Sequence, residues 1–463
     1  MPKPRTWDIW ERIETGPVCP ERKFDLKMLF PRAQELIKEY DIKYDPKSLI
    51  PTDDTLIDDV FKAGMDLLLD VGVLCTDTQR IIKFEESEVK ETLSILPGEA
   101  RLGEGTDAVV LTARKIDDRR PPTIFGGPTA APISEKMSVK IYESYAREPI
   151  IDVLPVGTAT EVEGLTIKSG SPTEVHGEVS NVGWARTALR RAGKSGMPVV
   201  GSSAVTAAGE IGTTSPEYGY RKSDMRWTWL LPELKTNYDN LCRGAHFDDY
   251  GCFTWGCNAS FVGGYAGGAE GAAIACVAGE LALIALYCPT VVDGITENGR
   301  YVGTSGRTEI WSSNLANAAV NKNTNIIHLG APYITYAGPC TDMCLYEIAA
   351  TTIGTTVTGC HPFGVAPNQG TGKGFLDHCT GMEARFMGEV AHAAVGIGRA
   401  EANDILKAIL SRYENTIEAK DPPLGKKFEE CYDPATLRPS KDYVELYLKI
   451  RKELEGLGLR FGH

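Results

Sequence analysis

Residues 195–206, with the sequence SGMPVVGSSAVT, decide the fold that we predict for this chain. The short apolar run from Met197 to Val200 is followed at once by Gly201 and two serines. Branched apolar residues are typical of a strand buried in a parallel sheet, and small residues after such a strand let a ligand come close to the backbone. We therefore predict a buried strand that ends at a functional site, with Val200 near its C-terminal end.

Further apolar, strand-like runs alternate with helical segments in the rest of the chain. Including the run just described, they cover residues 124–128, 150–157, 197–201, 251–257, 290–294, 326–330 and 355–359. Strands that alternate with helices favour a parallel sheet, and this number of runs favours closure into a TIM-type (β/α)8 barrel over an open sheet. The fold class is therefore α/β, and further helices are predicted over residues 382–394, 401–413 and 442–457.

The first 120 residues have a different pattern, which predicts a mostly helical extension. Residues 51–54 supply N-capping side chains, and apolar residues then recur at helical spacing from Leu56 to Val71. A second helix is predicted over residues 85–93. Residues 115–122, KIDDRRPP, contain nothing that could face a core and mark the boundary. We divide the chain into a helical N-terminal extension, residues 1–120, and a barrel domain with C-terminal helices, residues 121–463.

Composition excludes several classes of function. The 463 residues carry a net charge of -13, which argues against nucleic acid or an anionic membrane as a partner and leaves cationic small molecules open. Twelve unevenly spaced cysteines indicate reduced thiols, and the N-terminus shows no signal peptide. Residues 271–287 are the most apolar segment, but Glu280 interrupts them, so we expect a helix buried in protein. No nucleotide-binding glycine motif occurs, and a cytoplasmic enzyme is expected.

Longer motifs resemble the monomethylamine methyltransferase family, which belongs to the corrinoid-dependent methylamine methyltransferases of methanogens. They are CTDT at 75–78, GGPT at 126–129, GGYAGG at 263–268, AGPCT at 337–341, TGMEAR at 380–385 and ECYD at 430–433. Residues 196–201 match the family strand G-M-x-V-pyrrolysine-G, which carries the reactive residue inside the barrel. The resemblance implies a TIM-type barrel, a cytoplasmic and hexameric homo-oligomer, and a corrinoid protein that docks at the barrel mouth to receive a methyl group.

The chain departs from the family at the reactive residue and around it. Val200 occupies the pyrrolysine position and has no electrophile, base or hydrogen-bonding group. The family surrounds pyrrolysine with two glutamates, a glutamine and a tyrosine. Our alignment places Trp227 and Cys257 at the glutamate positions, and Pro332 and Ile334 at the glutamine and tyrosine positions. Monomethylamine is therefore in doubt as the substrate, and no catalytic residue is assigned.

Tryptophan is concentrated in the same part of the chain. Trp227, Trp229 and Trp255 lie within one short interval, and Trp255 shares the inward face with Cys257 if residues 251–257 form a strand. Aromatic walls bind quaternary ammonium groups by cation–π attraction of roughly 0.5 to 2 kcal/mol per contact. Such a substrate has no N–H group, leaves as a neutral tertiary amine, and can give its methyl group directly to Co(I). We therefore predict a small methylated cation bound by Val200, Trp227, Trp255, Cys257, Pro332 and Ile334.

Three alternatives stay open at this point. The tryptophans are also explained by packing in the barrel core or the subunit interface, which is the commoner role of aromatic residues. Zinc-dependent transfer from a thiol or ether has candidate ligands in His246, Cys252, Cys257, His328, Cys340, Cys344, Cys360, His361, His378 and Cys379. Their spacing matches no zinc motif, so no metal is assigned. A relative that binds a ligand or a corrinoid protein without catalysis would also show these losses.

Overall fold

The centre of the molecule is a closed barrel of eight parallel strands. The computed structural model describes residues 6–201, 204–214, 219–299, 303–330, 334–367 and 375–462. The barrel strands are β1 (Phe125–Gly126), β2 (Leu154–Pro155), β3 (Val199–Val200), β4 (Met225–Leu230), β5 (Phe253–Val262), β6 (Val291–Asn298), β7 (Ile327–Gly330) and β8 (His361–Gly364). Each strand pairs with the next in chain order, β8 pairs with β1, and a bridge from Phe125 to Val153 closes the ring. The predicted TIM-type barrel is confirmed.

The N-terminal residues form helices and short strands that pack on the barrel. The helices are α1 (Thr6–Thr15), α2 (Glu21–Lys23), α3 (Phe30–Glu39), α4 (Asp54–Val71) and α5 (Glu86–Ile95), with a π-helix over Phe24–Leu29 and a 3-10 helix over Gly105–Asp107. Asp53 caps α4 by accepting a hydrogen bond from the Thr55 N–H. Strand Val73–Cys75 pairs with Arg80–Ile82 and with Lys235–Thr236, which follows β4. The extension therefore shares one hydrophobic core with the outside of the barrel.

A hairpin of the extension closes one end of the barrel. Its strands, Glu99–Leu102 and Val109–Thr112, place Ala100, Leu102 and Leu111 in the cluster of apolar side chains inside the barrel. The hairpin is anchored by backbone hydrogen bonds of 2.8 Å to Ser223 and 2.9 Å to Gly196, which precede β4 and β3. The amino ends of the strands are thus covered, and the opposite end is the one that a ligand can enter.

Helices cover the outside of the strands. They are α6 (Glu135–Ala146), α7 (Pro172–Arg191), α8 (Ala207–Gly212), α9 (Tyr238–Tyr250), α10 (Ala269–Tyr287), α11 (Arg307–Asn323), α12 (Asp342–Val357) and α13 (Gly381–Ala393). Helix α10 is long and apolar enough to cross a membrane, but 94% of its apolar window is buried inside the protein. It is therefore the packed helix that the interruption at Glu280 predicted.

The remaining elements lie beside the barrel or at the C-terminal end. The helices are α14 (Arg399–Leu410), α15 (Glu414–Ala419), α16 (Phe428–Cys431) and α17 (Lys441–Gly456). The short strands are Pro132–Ile133, Thr158–Ala159, Glu161–Val162, Leu165–Thr166, Ile334–Thr335, Ala366–Pro367, Tyr432–Asp433 and Arg438–Pro439. The three C-terminal helices predicted from the sequence are confirmed within a few residues.

Two strand assignments from the sequence were wrong. Residues 355–359 are predicted to form a strand, but α12 runs to Val357 and the eighth strand begins at His361. The threonine-rich end of α12 is helical because it is buried in the protein, where the hydroxyls of Thr351 and Thr358 are satisfied by carbonyls four residues earlier, both at 2.8 Å. The sequence interpretation also missed β4, whose polar residues Arg226 and Thr228 point outward and interrupt the apolar run.

Candidate active site

Val200 is the last residue of β3, at the C-terminal end predicted for it. It is fully buried inside the barrel, between Pro155 of β2 and Met225 of β4. The chain then turns at Gly201, whose φ of 120° is favoured by glycine. An alkyl side chain here provides shape and excludes water but takes no part in acid–base or covalent chemistry.

Buried polar groups hold the segment that follows β3. The Glu174 carboxylate accepts hydrogen bonds from the Val205 N–H at 2.8 Å and from the Thr206 N–H and hydroxyl at 3.2 and 2.5 Å. Arg243 of α9 donates to the carbonyl of Ala204. The Asp239 carboxylate accepts from the Ala207 N–H at 2.9 Å. The rim next to Val200 is therefore fixed by side chains from two different helices.

Two of the predicted tryptophans form the floor of the barrel interior. The rings of Trp227 and Trp255 are 4.7 Å apart edge to face, and Trp255 also contacts Phe363 at 4.6 Å and Phe125 at 6.3 Å. Trp227 is 3% exposed and Trp255 is 0% exposed. Trp255 therefore lies below the space that a ligand can reach, in the packing role that large aromatic residues commonly have.

The accessible part of the interior begins one level above this floor. On β5 the outward residues 254, 256, 258 and 260 are buried under helices, whereas the inward residues Cys257, Ala259 and Phe261 are only half-buried. Trp229, across from Cys257 on β4, is also half-buried and lies 4.9 Å from Trp227. The guanidinium of Arg243 covers one face of its ring at 5.2 Å. Trp229 and Cys257 are thus the deepest part of the wall that an entering ligand can reach, just above the floor.

The sequence interpretation missed two carboxylates on β6. Val291 and Ile295 belong to the interior cluster, and Asp293 and Glu297 share their face because side chains alternate along a strand. The outward residue Thr296 confirms this orientation, since its hydroxyl donates to a carbonyl of α11 at 2.8 Å. Asp293 is 0% exposed and Glu297 is 6% exposed. The barrel interior therefore contains two acidic groups above an aromatic floor.

The pKa values of both carboxyl groups lie well above their usual range. Burial raises the pKa of Asp293 to about 8, against the Cys257 thiol, His328 and the Trp255 indole N–H, which lower it. Neither oxygen of Asp293 reaches hydrogen-bond geometry with a described residue. Burial alone raises the pKa of Glu297 to about 7, so no described residue compensates its charge. Burial, together with both carboxylates, raises the pKa of the Cys257 thiol well above its usual value, which keeps the thiol neutral.

A separate polar cluster lies behind the wall of the barrel. The Nε2 atom of His328 is 3.1 Å from a carboxylate oxygen of Glu280, and its Nδ1 atom is 3.1 Å from the side-chain oxygen of Asn321. Asn321 also donates to the sulfur of Cys360 at 3.2 Å. Burial opposes a charged His328, but Cys360 and Glu280 outweigh it and hold the pKa of His328 above its usual value. The cluster is a closed network that no ligand reaches.

The remaining candidates are separated from the interior or lie outside the described residues. Pro332 is not among the residues described. Ile334 is buried on strand Ile334–Thr335, which pairs with Ala366–Pro367 beyond the barrel sheet, and it is not part of the interior cluster. Among the described residues, no three His, Cys, Asp or Glu side chains converge as metal ligands. His361 already has both ring nitrogens hydrogen-bonded at 2.9 Å, to the N–H of Thr123 and the carbonyl of Thr112.

Comparisons with known proteins agree with the geometry. The family model for "Monomethylamine methyltransferase MtmB" matches residues 5–459. The chain is 34% identical over 458 residues to monomethylamine methyltransferase MtmB of Methanosarcina mazei and 35% identical to MtmB1 of Methanosarcina barkeri, in each case covering 98% of both chains. The crystal structure of the Methanosarcina barkeri enzyme superimposes with a TM-score of 0.94 at 34% identity over 98% of both chains. The resemblance carried by the motifs is confirmed.

Proposed function

The chain belongs to the monomethylamine methyltransferase family, and we propose that it moves a methyl group from a small quaternary ammonium cation to a corrinoid protein. It is a methyltransferase, as its relatives are. The proposal places it in the cytoplasm as a homo-oligomer, hexameric as the resemblance implies, with the corrinoid protein docking at the barrel mouth.

The observation that carries the proposal is an aromatic floor together with two acidic groups that form no ion pair with a described residue, in one enclosed space. A cation gains from both, since carboxylates supply the opposite charge and aromatic faces attract it by roughly 0.5 to 2 kcal/mol per contact. The half-buried ring of Trp229 is available to such a ligand, whereas Trp255 supports it from below. A neutral or anionic substrate would leave Asp293 and Glu297 uncompensated when it displaced water.

The residues beneath the ligand favour a quaternary nitrogen. Val200 and Trp227 offer no hydrogen-bond acceptor there and the Cys257 thiol stays protonated, so the acceptors that face the ligand are the carboxylates of Asp293 and Glu297, which balance its charge. A quaternary nitrogen has no N–H to satisfy, and its leaving group is a neutral amine that needs no proton from the protein. Co(I) on the partner supplies the nucleophile for direct attack on the methyl carbon. The chain itself orients the cation and excludes water, which are recognised sources of rate.

A methyl-transfer assay tests the proposal. The purified chain is mixed with a corrinoid protein reduced to Co(I), and methyl–cobalt formation is followed by absorbance with tetramethylammonium, choline, glycine betaine and the mono-, di- and trimethylated amines. We expect transfer from a quaternary compound and none from monomethylamine, also in Val200 variants, because no standard side chain supplies an imine electrophile. Efficient monomethylamine turnover, or zinc-dependent demethylation of a thioether or methyl ether with no transfer from quaternary amines, contradicts the proposal.

A further inference from the structure

The two inward carboxylates are placed at different depths of the barrel. Asp293 pairs in register with Cys257, one level above the tryptophan floor, and Glu297 pairs with Phe261 near the C-terminal end of both strands. Four residues of extended strand separate them, or about 13 Å along β6. A ligand at the level of Ala259, between these two depths, has one carboxylate below it and one above it.

The charged groups around this column do not neutralise it. Behind the wall, His328 of β7 and Glu280 of α10 pair with each other, so their effects on Asp293 oppose one another. The positive charge of the Arg243 guanidinium, which lies over the Trp229 ring, is balanced by the nearby carboxylates of Glu210, Asp239, Glu178 and Glu174, which oppose the lowering of its pKa by burial. The Cys257 thiol of β5 is neutral. Among the described residues, the column therefore has a net negative charge whenever Asp293 and Glu297 are ionised.

We propose that Asp293 and Glu297 determine specificity by admitting ligands with a net positive charge and rejecting zwitterions that carry the same trimethylammonium group. The inference rests on the proposed function in taking the ligand to be a methylated ammonium compound. A betaine brings its own carboxylate into the column, where two carboxylates without an ion-pair partner among the described residues repel it in a space of low dielectric. Choline has the same trimethylammonium group and no carboxylate, so both Asp293 and Glu297 attract it.

Calorimetry with three probes of similar shape tests this. Choline is cationic, glycine betaine is zwitterionic, and 3,3-dimethylbutan-1-ol is the neutral analogue of choline. We expect choline to bind the wild-type protein about 10- to 100-fold more tightly than betaine. Asp293→Asn and Glu297→Gln should each weaken choline binding about 10- to 100-fold, narrow the preference over betaine, and leave binding of the neutral alcohol unchanged. Glu163→Gln removes a charge from an exposed position and is the matched control.

A measurement on the wild-type protein covers the case in which a variant does not fold. Choline does not titrate, so its affinity should rise between pH 6 and pH 9 as Glu297 and Asp293 ionise. Equal affinity for choline in the wild type and both variants, tighter binding of betaine than choline, or a flat pH profile overturns the inference. If methyl transfer occurs but choline binding does not depend on Asp293 and Glu297, this inference is wrong and the proposed function stands. If choline binding depends on the carboxylates but no methyl group is transferred to a reduced corrinoid protein, the proposed function is wrong and this inference stands.

Discussion

Carboxylates inside the barrel and carboxylates behind its wall differ in whether a neighbouring cation balances their charge. Asp293 and Glu297 face the interior, where neither forms an ion pair with a described residue, and only Asp293 is partly compensated, by the Cys257 thiol, His328 and the Trp255 indole N–H. Behind the wall, Glu280 is paired with His328, and Glu210 is paired with Arg226, both partners being 0% exposed. Burying an ionised carboxylate without a partner is costly, and proteins ordinarily compensate it with a cation or hydrogen bonds. Glu280 and Glu210, behind the wall, are thus compensated as buried structural carboxylates ordinarily are. Asp293 and Glu297, inside the barrel, have no such ion-pair partner among the described residues.

This contrast separates two roles that the sequence presents alike. A structural carboxylate is satisfied in the free protein, so removing its partner lowers stability. A carboxylate reserved for a ligand is unsatisfied in the free protein, so removing it lowers affinity while relieving a cost to stability. The two groups of carboxylates therefore predict opposite effects for similar substitutions.

The largest effect is expected from breaking an outer pair. Arg226 donates to the carboxylate and the backbone carbonyl of Glu210, and its guanidinium lies 4.5 Å from the ring of Tyr220 and 4.8 Å from that of Phe247. Arg226→Met should lower the free energy of unfolding by about 3 to 5 kcal/mol, because Glu210 is left buried and uncompensated. Urea denaturation at pH 7 measures this change in the free energy of unfolding.

The double variant Arg226→Met with Glu210→Gln is the control for this pair. It should recover part of the loss, since the orphaned charge is gone. If Arg226→Met alone is as stable as the wild type, then the outer pairs do not stabilise the protein and the contrast with the interior has no energetic basis.

The second effect concerns the dependence of stability on pH. The pKa of Asp293 rises from 3.8 to about 8 on folding, and that of Glu297 rises from 4.5 to about 7. Below about pH 3 both groups are largely protonated in the folded and the unfolded state, so neither lowers the free energy of unfolding. As the pH rises toward 8, the unfolded state loses protons first, so the folded state is progressively destabilised.

The double variant Asp293→Asn with Glu297→Gln should remove this loss. Between pH 6 and pH 7.5 we expect the free energy of unfolding of the wild type to fall by about 2 to 4 kcal/mol more than that of the double variant. Chemical denaturation across this range, with Glu163→Gln as the control, provides the measurement. Parallel curves for the wild type and the double variant would mean that the two carboxyls are compensated in the free protein.

The fold was largely predictable because its signals are local or carried by long motifs. Apolar runs bounded by glycine identified six of the eight barrel strands, and Glu280 correctly marked α10 as a helix buried in protein. Residues 355–359 misled the prediction because a threonine-rich run has the composition of a strand. Their helical state depends on the burial of α12, with the threonine hydroxyls satisfied by backbone carbonyls, and composition reveals neither.

The site was predictable in part. Val200, Trp227 and Trp255 meet in the interior cluster, with Cys257 at its upper edge. Asp293 and Glu297 were missed because the strand was taken to end at Gly294, which hid the alternation of Val291, Asp293, Ile295 and Glu297 in VVDGITEN. Continuing the period-2 pattern past this glycine is the signal that could have found them. That Trp255 is sealed and Trp229 accessible follows only from how the rings pack.

The smallest effect distinguishes the accessible tryptophan from the sealed one. Trp229→Leu should weaken choline binding by about 1 to 2 kcal/mol, because a partly desolvated cation–π contact is lost from the deepest wall that the ligand reaches. Calorimetry measures it, with Trp7→Leu, at a position that is 66% exposed on α1, as the control.

Trp255→Phe tests whether the sealed tryptophan contributes less to choline binding than the accessible one. It keeps an aromatic floor against Trp227 and Phe363 and should change the affinity for choline less than Trp229→Leu does, while costing stability through the cavity that it leaves. A larger loss of affinity in Trp255→Phe than in Trp229→Leu would place the ligand below the level of Cys257. The floor would then have to open on binding, and the accessible space would begin lower in the barrel than the free structure indicates.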